Sequence, residues 1–218
     1  MLTALLCVGA VLLDWRLGEP RRWHPLAGFG WLAQRVEVLA YGSPETNAEL
    51  RRARGIGAVI VLLVPFAAAA WLLGAIPLLG SVVALGLLAL AIGARSLAEH
   101  AEAVAAALQA NDLPLARERV GLIVSRDTDD LDEEQISRAT VESVLENGCD
   151  AIFGALFWFV LAGAAGVVLY RLANTLDAMW GYRTPRYQDF GWAAARLDDA
   201  LNWIPARLTA LSYMAVGT

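Results

Sequence analysis

Long apolar runs, separated by short charged stretches, dominate the pattern of this chain. The clearest run follows Arg51, Arg52 and Arg54 and carries no charged side chain from Gly55 to Ala94. About 20 apolar residues cross the hydrocarbon core of a bilayer, so the pattern predicts a transmembrane helix over Ile56–Ile76. The segments "IPLLGS" and "VVALGLLALAIGA" then predict a tight turn and a returning helix. Arginines at both outer ends of this hairpin, with none in its turn, predict that those ends face the cytoplasm.

A second apolar run, "AIFGALFWFVLAGAAGVVLYRLANTLDAMWGYR", starts at Ala151 and is interrupted by "AGAAG" at residues 162–166. Each arm has about 10 to 12 apolar residues and is too short to cross a bilayer alone. Irregular backbone is tolerated at membrane depth where protein or a water-filled cavity surrounds it. We therefore predict a re-entrant helical hairpin, with a single full span as the alternative. In the hairpin, Asn174 and Asp177 would face the region from Arg126 to Asp150.

The remaining segments also read as helices. The N-terminal "MLTALLCVGAVLLD" lacks a basic n-region and a cleavage site, so it predicts an interfacial or re-entrant helix rather than a signal peptide. The segment "RSLAEHAEAVAAALQA" continues the returning membrane helix into water, "LARERVGLIV" is its short antiparallel partner, and "LDEEQISRATVESVLENG" forms a helix that Gly148 ends. The fold prediction is an all-α, polytopic integral membrane protein, with residues 1–218 forming a single membrane-embedded domain in a lipid bilayer.

Charge and composition narrow the chemistry. The chain contains no lysine, and its 17 basic side chains are all arginine. This excludes Schiff-base chemistry and a phosphate-binding loop of the G-x-x-x-x-G-K type within this chain. A net charge of −5, with clustered acids rather than basic patches, argues against nucleic acid. Two cysteines and two histidines show no zinc spacing. Any bound phosphate or carboxylate must therefore be held by arginine, Mg²⁺ or backbone N–H groups.

The acidic stretch "SRDTDDLDEEQ" has two interpretations. The acids from Asp129 to Glu134 complement the dipole at the start of the following helix. Arg126, Asp127 and Thr128 precede that helix, so capping explains them less well, and they are candidates for a site.

An acidic stripe is predicted further along the same helix. Glu142, Glu146 and Asp150 recur every four residues. They form either ordinary ion pairs, for example with Arg138, or a cation site beside the membrane.

The C-terminal segment "GYRTPRYQDFGWAAARLDDALNWIPARLTAL" is rich in arginine, aspartate and aromatic residues. It is either a surface segment held by ion pairs or a platform for an anion and a metal, because oxygen ligands in this number suit Mg²⁺. The alternating charges are Arg183, Arg186, Asp189, Arg196, Asp198, Asp199 and Arg207.

Three stretches together resemble the CobD/CbiB family of cobalamin-biosynthesis membrane proteins, the cobinamide-phosphate synthases. "DWRLGEPRRWHPLAGFG" is similar to the family motif D-x-x-x-G-D-P-x-x-x-x-H-P. "SRDTDDLDEEQISRATVESVLENGCDAIFGALFWFVLAG" and "YRLANTLDAMWGYRTPRYQDFGWAAARLDDALNWIPARLTAL" resemble its two most specific blocks. Glu19 replaces the usual Asp, and Ser125 replaces the usual Gly. Family members continue for several more membrane segments, whereas this chain stops within a helix expected to start at Ala206, so we predict that it lacks the C-terminal segments.

The resemblance implies an amide ligase that depends on ATP and Mg²⁺. It would join a propionate carboxyl of adenosylcobyric acid to the amine of (R)-1-amino-2-propanol O-2-phosphate (aminopropanol phosphate), giving adenosylcobinamide phosphate. The expected location is the cell inner membrane, with the active face cytoplasmic and other membrane-associated cobalamin-assembly enzymes as possible partners. The candidate residues are, for catalysis, Arg126, Asp127, Thr128, Glu142, Glu146 and Asn147; for substrate or phosphate, His24, Asn174, Tyr182, Arg183, Arg196 and Arg207; and for metal, Asp127, Asp150, Asp177, Asp198 and Asp199.

Two other classes of function stay open from the residues alone. A non-catalytic membrane sensor of the related AmpE type would bind no corrinoid and would tolerate the loss of Asp177 and of the pair Asp198 and Asp199. A Mg²⁺-dependent transferase acting on a lipid diphosphate would use paired aspartates such as Asp198 and Asp199, and would be indifferent to cobyric acid.

Overall fold

Helices account for all the regular structure in the part of the chain that this computed structural model describes, residues 1–19, 24–43 and 45–216. The all-α prediction is therefore confirmed for these residues. The elements, in chain order, are α1 (Leu2–Leu17), α2 (Pro25–Ala40), α3 (Ala48–Gly74), α4 (Leu79–Ala91), α5 (Ala94–Gln109), α6 (Leu113–Gly121), α7 (Glu133–Gly148), a π-helical turn (Cys149–Phe153), α8 (Gly154–Trp180), α9 (Tyr187–Phe190) and α10 (Trp192–Val216).

Three helical stretches are long and apolar enough to cross a membrane, namely Ala48–Gly74, Leu79–Gln109 and Glu133–Trp180. The first two form the predicted transmembrane hairpin, in which α3 packs against α4 through a short turn. The turn contains Leu78 with a φ of 64°. The prediction of an integral membrane protein is confirmed on these grounds, although the third stretch does not run straight.

The third stretch folds back on itself within α8. Its helix is broken at Ala162 (φ −135°, ψ 16°) and Gly163 (φ 60°, ψ −146°). On the far side of the break, the Asn174 Nδ2 atom lies 3.3 Å from the Asp150 Oδ2 atom. A straight helix would separate residues 24 positions apart by about 36 Å. The chain therefore reverses at 162–163, which confirms the predicted re-entrant hairpin and excludes the single straight span.

The tip of this hairpin lies beside the turn between α3 and α4. A Cβ built on Gly74 would lie 3.6 Å from that of Ala164. At the opposite end of the bundle, the Gly93 N–H, at the start of α5, donates to the Ala151 carbonyl over 3.4 Å. Both arms of the hairpin therefore open toward the end of the bundle where α5 begins.

Helix α1 lies alongside α4 and runs in the same direction. Leu2 and Ser81 line one cavity near the α3–α4 turn. At the other end of α1, the backbone N–H of Arg95 donates to the Asp14 carboxylate over 3.0 Å. The short N-terminal helix is thus a member of the bundle.

Helices α5, α6 and α7 form a small second layer with its own apolar core. The predicted start of α7 is confirmed, because Asp132 and Gln135 cap it reciprocally in a capping box. The predicted pairing of α5 with α6 is also observed. The core residues of this layer are Val104, Ala107, Ala116, Val120, Ile136 and Ala139.

Helix α10 packs against the hairpin and contains Pro205 in its interior. Because proline has no backbone N–H, the Leu201 carbonyl cannot receive its usual helical hydrogen bond. The indole Nε1–H of Trp158, on the first arm of the hairpin, donates to that carbonyl instead over 3.0 Å. The helix therefore continues through the proline. The expectation of a helix starting at Ala206 is wrong, since α10 starts at Trp192.

Candidate functional site

A polar network joins the hairpin to α10. The Asn174 Nδ2 atom lies 3.3 Å from Asp150 Oδ2 and 3.5 Å from Asp198 Oδ1, so one side-chain amide faces two carboxylates. Asn202 donates to Asp198 Oδ2 over 3.1 Å, and the Tyr170 hydroxyl donates to Asn202 Oδ1 over 2.7 Å. Residues from three separate segments of the chain thus meet at the mouth of the hairpin.

The local fold explains why Asp150 enters this network. It lies in the π-helical turn that continues α7, and both α8 and α10 pack against this turn. Glu142 and Glu146 remain exposed on α7, whereas Asp150 is partly buried. The predicted acidic stripe is therefore divided between two surfaces.

The electrostatics of the network are those of crowded acids. Burial raises the pKa of the Asp198 carboxyl above its usual range, although hydrogen bonds from Asn202 and Asn174 oppose this effect. Asp177 lies next to the same group, and its carboxylate repels those of Asp198 and Asp199. The Asp177 side chain fills the space that a Cβ on Gly181 would need. Four of the five aspartates predicted to bind metal, residues 150, 177, 198 and 199, therefore form one acidic group.

An inner cleft of about 340 Å³ opens onto Asp150 and Asn174. It brings the predicted residue Asn147 to the network. The polar side chains that line it are Glu19, Ser96, His100, Ser125, Asn147, Asp150, Arg171 and Asn174.

Several residues of the inner cleft were missed as candidates from the sequence. Arg171 offered a signal, since a charge inside an apolar helix usually has a function. Ser96 and His100 offered none, because they lie on the ordinary amphipathic helix α5. The His100 Nδ1 atom lies 2.7 Å from the Ser96 carbonyl oxygen, which orients the imidazole ring.

A larger outer cleft of about 470 Å³ adjoins the inner one. The predicted residues Arg126, Glu142, Glu146 and Asn147 all line it, and Asn147 lines both clefts. The Arg126 Nη2 atom is 3.8 Å from Glu142 Oε2, and Arg138 Nε is 2.9 Å from Glu142 Oε1. All three side chains are more than half exposed, so an incoming anion could compete with Glu142 for Arg126.

The two residues that follow Arg126 point elsewhere. The Asp127 carboxylate accepts from the Asp129 backbone N–H over 3.1 Å, within its own loop. The Thr128 side chain is buried, and its hydroxyl donates to the Arg117 carbonyl over 3.1 Å. In this structure both side chains hold the loop before α7, and neither lines a cleft with Arg126.

A third, small cleft of about 120 Å³ collects four predicted residues from the C-terminal segment, Tyr182, Arg183, Arg196 and Asp199. Arg196 Nη1 pairs with Asp199 Oδ2 at 3.4 Å. Arg207 lies apart from them, with its guanidinium 4.0 Å above the Trp203 ring.

Arg186 anchors the loop that carries Tyr182 and Arg183. It donates two hydrogen bonds to Glu37 of α2, from Nε over 3.0 Å and from Nη2 over 2.6 Å, and these raise the pKa of its guanidinium. The Trp180 indole donates to the other oxygen of Glu37 over 3.0 Å. This buried carboxylate therefore ties the end of α8 to α2.

His24 occupies a separate position as the cap of α2. The Leu26 backbone N–H donates to its Nδ1 atom over 3.2 Å. Its ring lines an apolar cavity of about 140 Å³, and Arg171 lines the same cavity.

The donor chemistry of the network suits a hard cation. Within residues 1–19, 24–43 and 45–216, no three histidine, cysteine or carboxylate side chains converge closely enough to hold a metal by themselves. Mg²⁺ needs less than that, since it is usually held by one or two carboxylates together with water and substrate phosphate. Asp150 and Asp198 offer such a pair of oxygen donors.

The chain is similar to known proteins over most of its length. A family model described as CobD/Cbib protein matches residues 7–218. The proteins named cobalamin biosynthesis protein CobD from Chromobacterium violaceum and Stutzerimonas stutzeri are 61% and 56% identical to it, over 100% and 96% of this chain and 70% and 68% of their own lengths. The protein of the same name from Rhodobacter capsulatus is 40% identical over 96% of this chain and 68% of its own length. No solved structure matches the chain.

Proposed function

The chain belongs to the CobD/Cbib protein family, and from this premise we propose that it is the adenosylcobinamide-phosphate synthase of cobalamin biosynthesis. In this proposal it uses ATP to join a propionate carboxyl of adenosylcobyric acid to the amine of aminopropanol phosphate. It acts at the cytoplasmic face of the inner membrane. A role in cobalamin biosynthesis agrees with the names of the relatives.

The observation that carries the proposal is the meeting of Asp150, Asn174 and Asp198 beside two joined clefts. An amide ligase must bind two substrates at one point and must handle the negative charge of a carboxylate and of phosphate. Arg126 and Arg171 line the outer and inner clefts respectively, and arginine suits both anions. Mg²⁺ bound at Asp150 and Asp198 would neutralise phosphate charge.

The proposed reaction has two steps. A carboxylate oxygen attacks the γ-phosphorus of ATP, ADP leaves, and an acyl phosphate results. The free amine then attacks the acyl carbon, phosphate leaves, and the amine gives up a proton. Glu146 is our candidate for the proton acceptor, because it lines the outer cleft and is not one of the proposed Mg²⁺ ligands.

The proposal is tested with detergent-purified protein, adenosylcobyric acid, aminopropanol phosphate, ATP and Mg²⁺. Formation of adenosylcobinamide phosphate is followed by chromatography and mass. Asp198→Asn should lower turnover by about a hundredfold or more, because it removes one of the two proposed Mg²⁺ ligands. The matched control is Asp129→Asn, an exposed acid in the loop before α7, which should keep wild-type turnover.

Two results would contradict this function. If the wild-type protein forms no amide and binds no adenosylcobyric acid, the ligase function is excluded. Binding of a polyprenyl diphosphate would then favour the lipid transferase. Full turnover by Asp198→Asn would be compatible with the proposed reaction, but it would show that the network of Asp150, Asn174 and Asp198 takes no part in it.

A further inference from the structure

His24 and Arg171 both line the small apolar cavity. Each has a buried N–H, His24 Nε2 and Arg171 Nε, with no hydrogen-bond partner among the residues that the structure describes. Because the Leu26 N–H donates to His24 Nδ1, the proton of the neutral ring is on Nε2, which makes that atom a donor. Leaving a buried donor without an acceptor is unfavourable, so two of them at one cavity call for an acceptor.

Water alone suits this cavity poorly. The cavity has a volume of about 140 Å³. The rest of its wall is apolar, and apolar cavities tend to stay dry. The best occupant carries an oxygen anion at one end and a short hydrocarbon body. The apolar wall includes Phe29, Phe66, Leu87, Ala91, Val168 and Leu172.

Arg171 connects this cavity to the inner cleft. Its side chain lines both, while Asp150 and Asn174 line only the cleft. A small molecule whose anion lies against Arg171 and His24 could therefore direct its other end toward the carboxylate network.

We propose that the His24–Arg171 cavity is the subsite for the phosphate monoester of the small amino alcohol. The phosphate oxygens accept from His24 Nε2 and Arg171 Nε, the methyl-bearing carbons lie against the apolar wall, and the amine points toward Asp150. This assignment rests on the proposed function for the identity of the ester, and it adds Arg171 as a substrate-binding residue.

The test measures binding of aminopropanol phosphate to the detergent-purified chain by calorimetry, without ATP or corrinoid. His24→Asn keeps a cap acceptor for the Leu26 N–H but removes the Nε2 donor. Arg171→Met keeps most of the side-chain length but removes the charge. Each variant should weaken binding tenfold or more, as expected for a hydrogen bond to a charged group.

Three controls make the test specific. Arg35→Met removes an exposed arginine that stacks on Trp31, and it should bind the ester like wild type. Ala91→Leu keeps both donors but fills the cavity, so it should also lose binding even if Arg171→Met fails to fold. Aminopropanol without phosphate should compete at least tenfold more weakly than the ester.

The outcomes separate this inference from the proposed function. Unchanged affinity in His24→Asn and Ala91→Leu would overturn the subsite, as would wild-type protein that does not bind the ester. Binding of adenosylcobyric acid is measured in parallel and should be unaffected by His24→Asn, because His24 does not line the inner cleft. Ester binding that is lost in the variants, in a protein that binds no corrinoid, would support the subsite and contradict the ligase.

Discussion

The contact between Trp158 and the helix that carries Pro205 allows a quantitative prediction of thermal stability. In Trp158→Phe the Leu201 carbonyl loses its replacement donor, the indole N–H at 3.0 Å. An unsatisfied buried carbonyl costs about 1–3 kcal/mol, and the partial burial of this contact favours the lower half of that range. For a chain of this size, 1 kcal/mol corresponds to about 2–4 °C in the melting temperature. Trp158→Phe should therefore lower the melting temperature by several degrees.

A double-mutant cycle isolates the hydrogen bond from the packing of the ring. Pro205→Ala restores a backbone N–H that can donate to Leu201, so Trp158→Phe should cost about 1–2 kcal/mol less in that background. The assay is thermal unfolding in detergent micelles, followed by circular dichroism, for wild type, both single variants and the double variant. Trp31→Phe is the control. Because Trp31 is exposed on α2, this variant should have the melting temperature of the wild type. An equal loss from Trp158→Phe in both backgrounds would refute the argument that the indole replaces the missing N–H.

Three further predictions concern packing, charge and the outer cleft. Gly191→Ala should cost about 1–3 kcal/mol of unfolding free energy, because a Cβ there would collide with the Trp180 carbonyl; an unchanged melting temperature would contradict this close approach. Since the pKa of Asp198 is raised, folded protein should lose stability as the pH rises through that pKa, and Asp198→Asn should abolish this part of the pH dependence in melting curves. Arg126→Gln should reduce amide formation at least tenfold with little change in melting temperature, whereas Arg138→Gln, outside the cleft, should retain activity.

The membrane architecture could be predicted from the sequence because it depends on local patterns. The uninterrupted run after Arg54 is long enough to cross a bilayer, and it appears as α3. The small residues at 162–166 divide the next run into arms too short to cross, and the chain does reverse at Gly163. A positive φ at this position requires glycine or strain, so the break was encoded by residue type.

The assembly of the site could not be predicted in the same way, because it depends on contacts between distant segments. The four-residue spacing of Glu142, Glu146 and Asp150 predicts one face, but α8 and α10 pack against the π-turn that carries Asp150, so it alone of the three is partly buried. The four-residue spacing from Asp198 to Asn202 is visible in the sequence, but its contact with Tyr170 is not. Pairing across the hairpin is a tertiary property that spacing alone does not contain.

Asn174 shows how the network tolerates acids that local repulsion would otherwise separate. Its amide faces Asp150 and Asp198 at hydrogen-bond distance, and Asn202 supplies a second donor to Asp198. Neutral amides satisfy carboxylate oxygens but leave their charge uncompensated, which keeps the electrostatic attraction for a cation. An arginine in place of Asn174 would pair with both acids and remove that attraction. The use of amides rather than arginines between these acids is therefore what a site that receives a metal ion or an ammonium group requires.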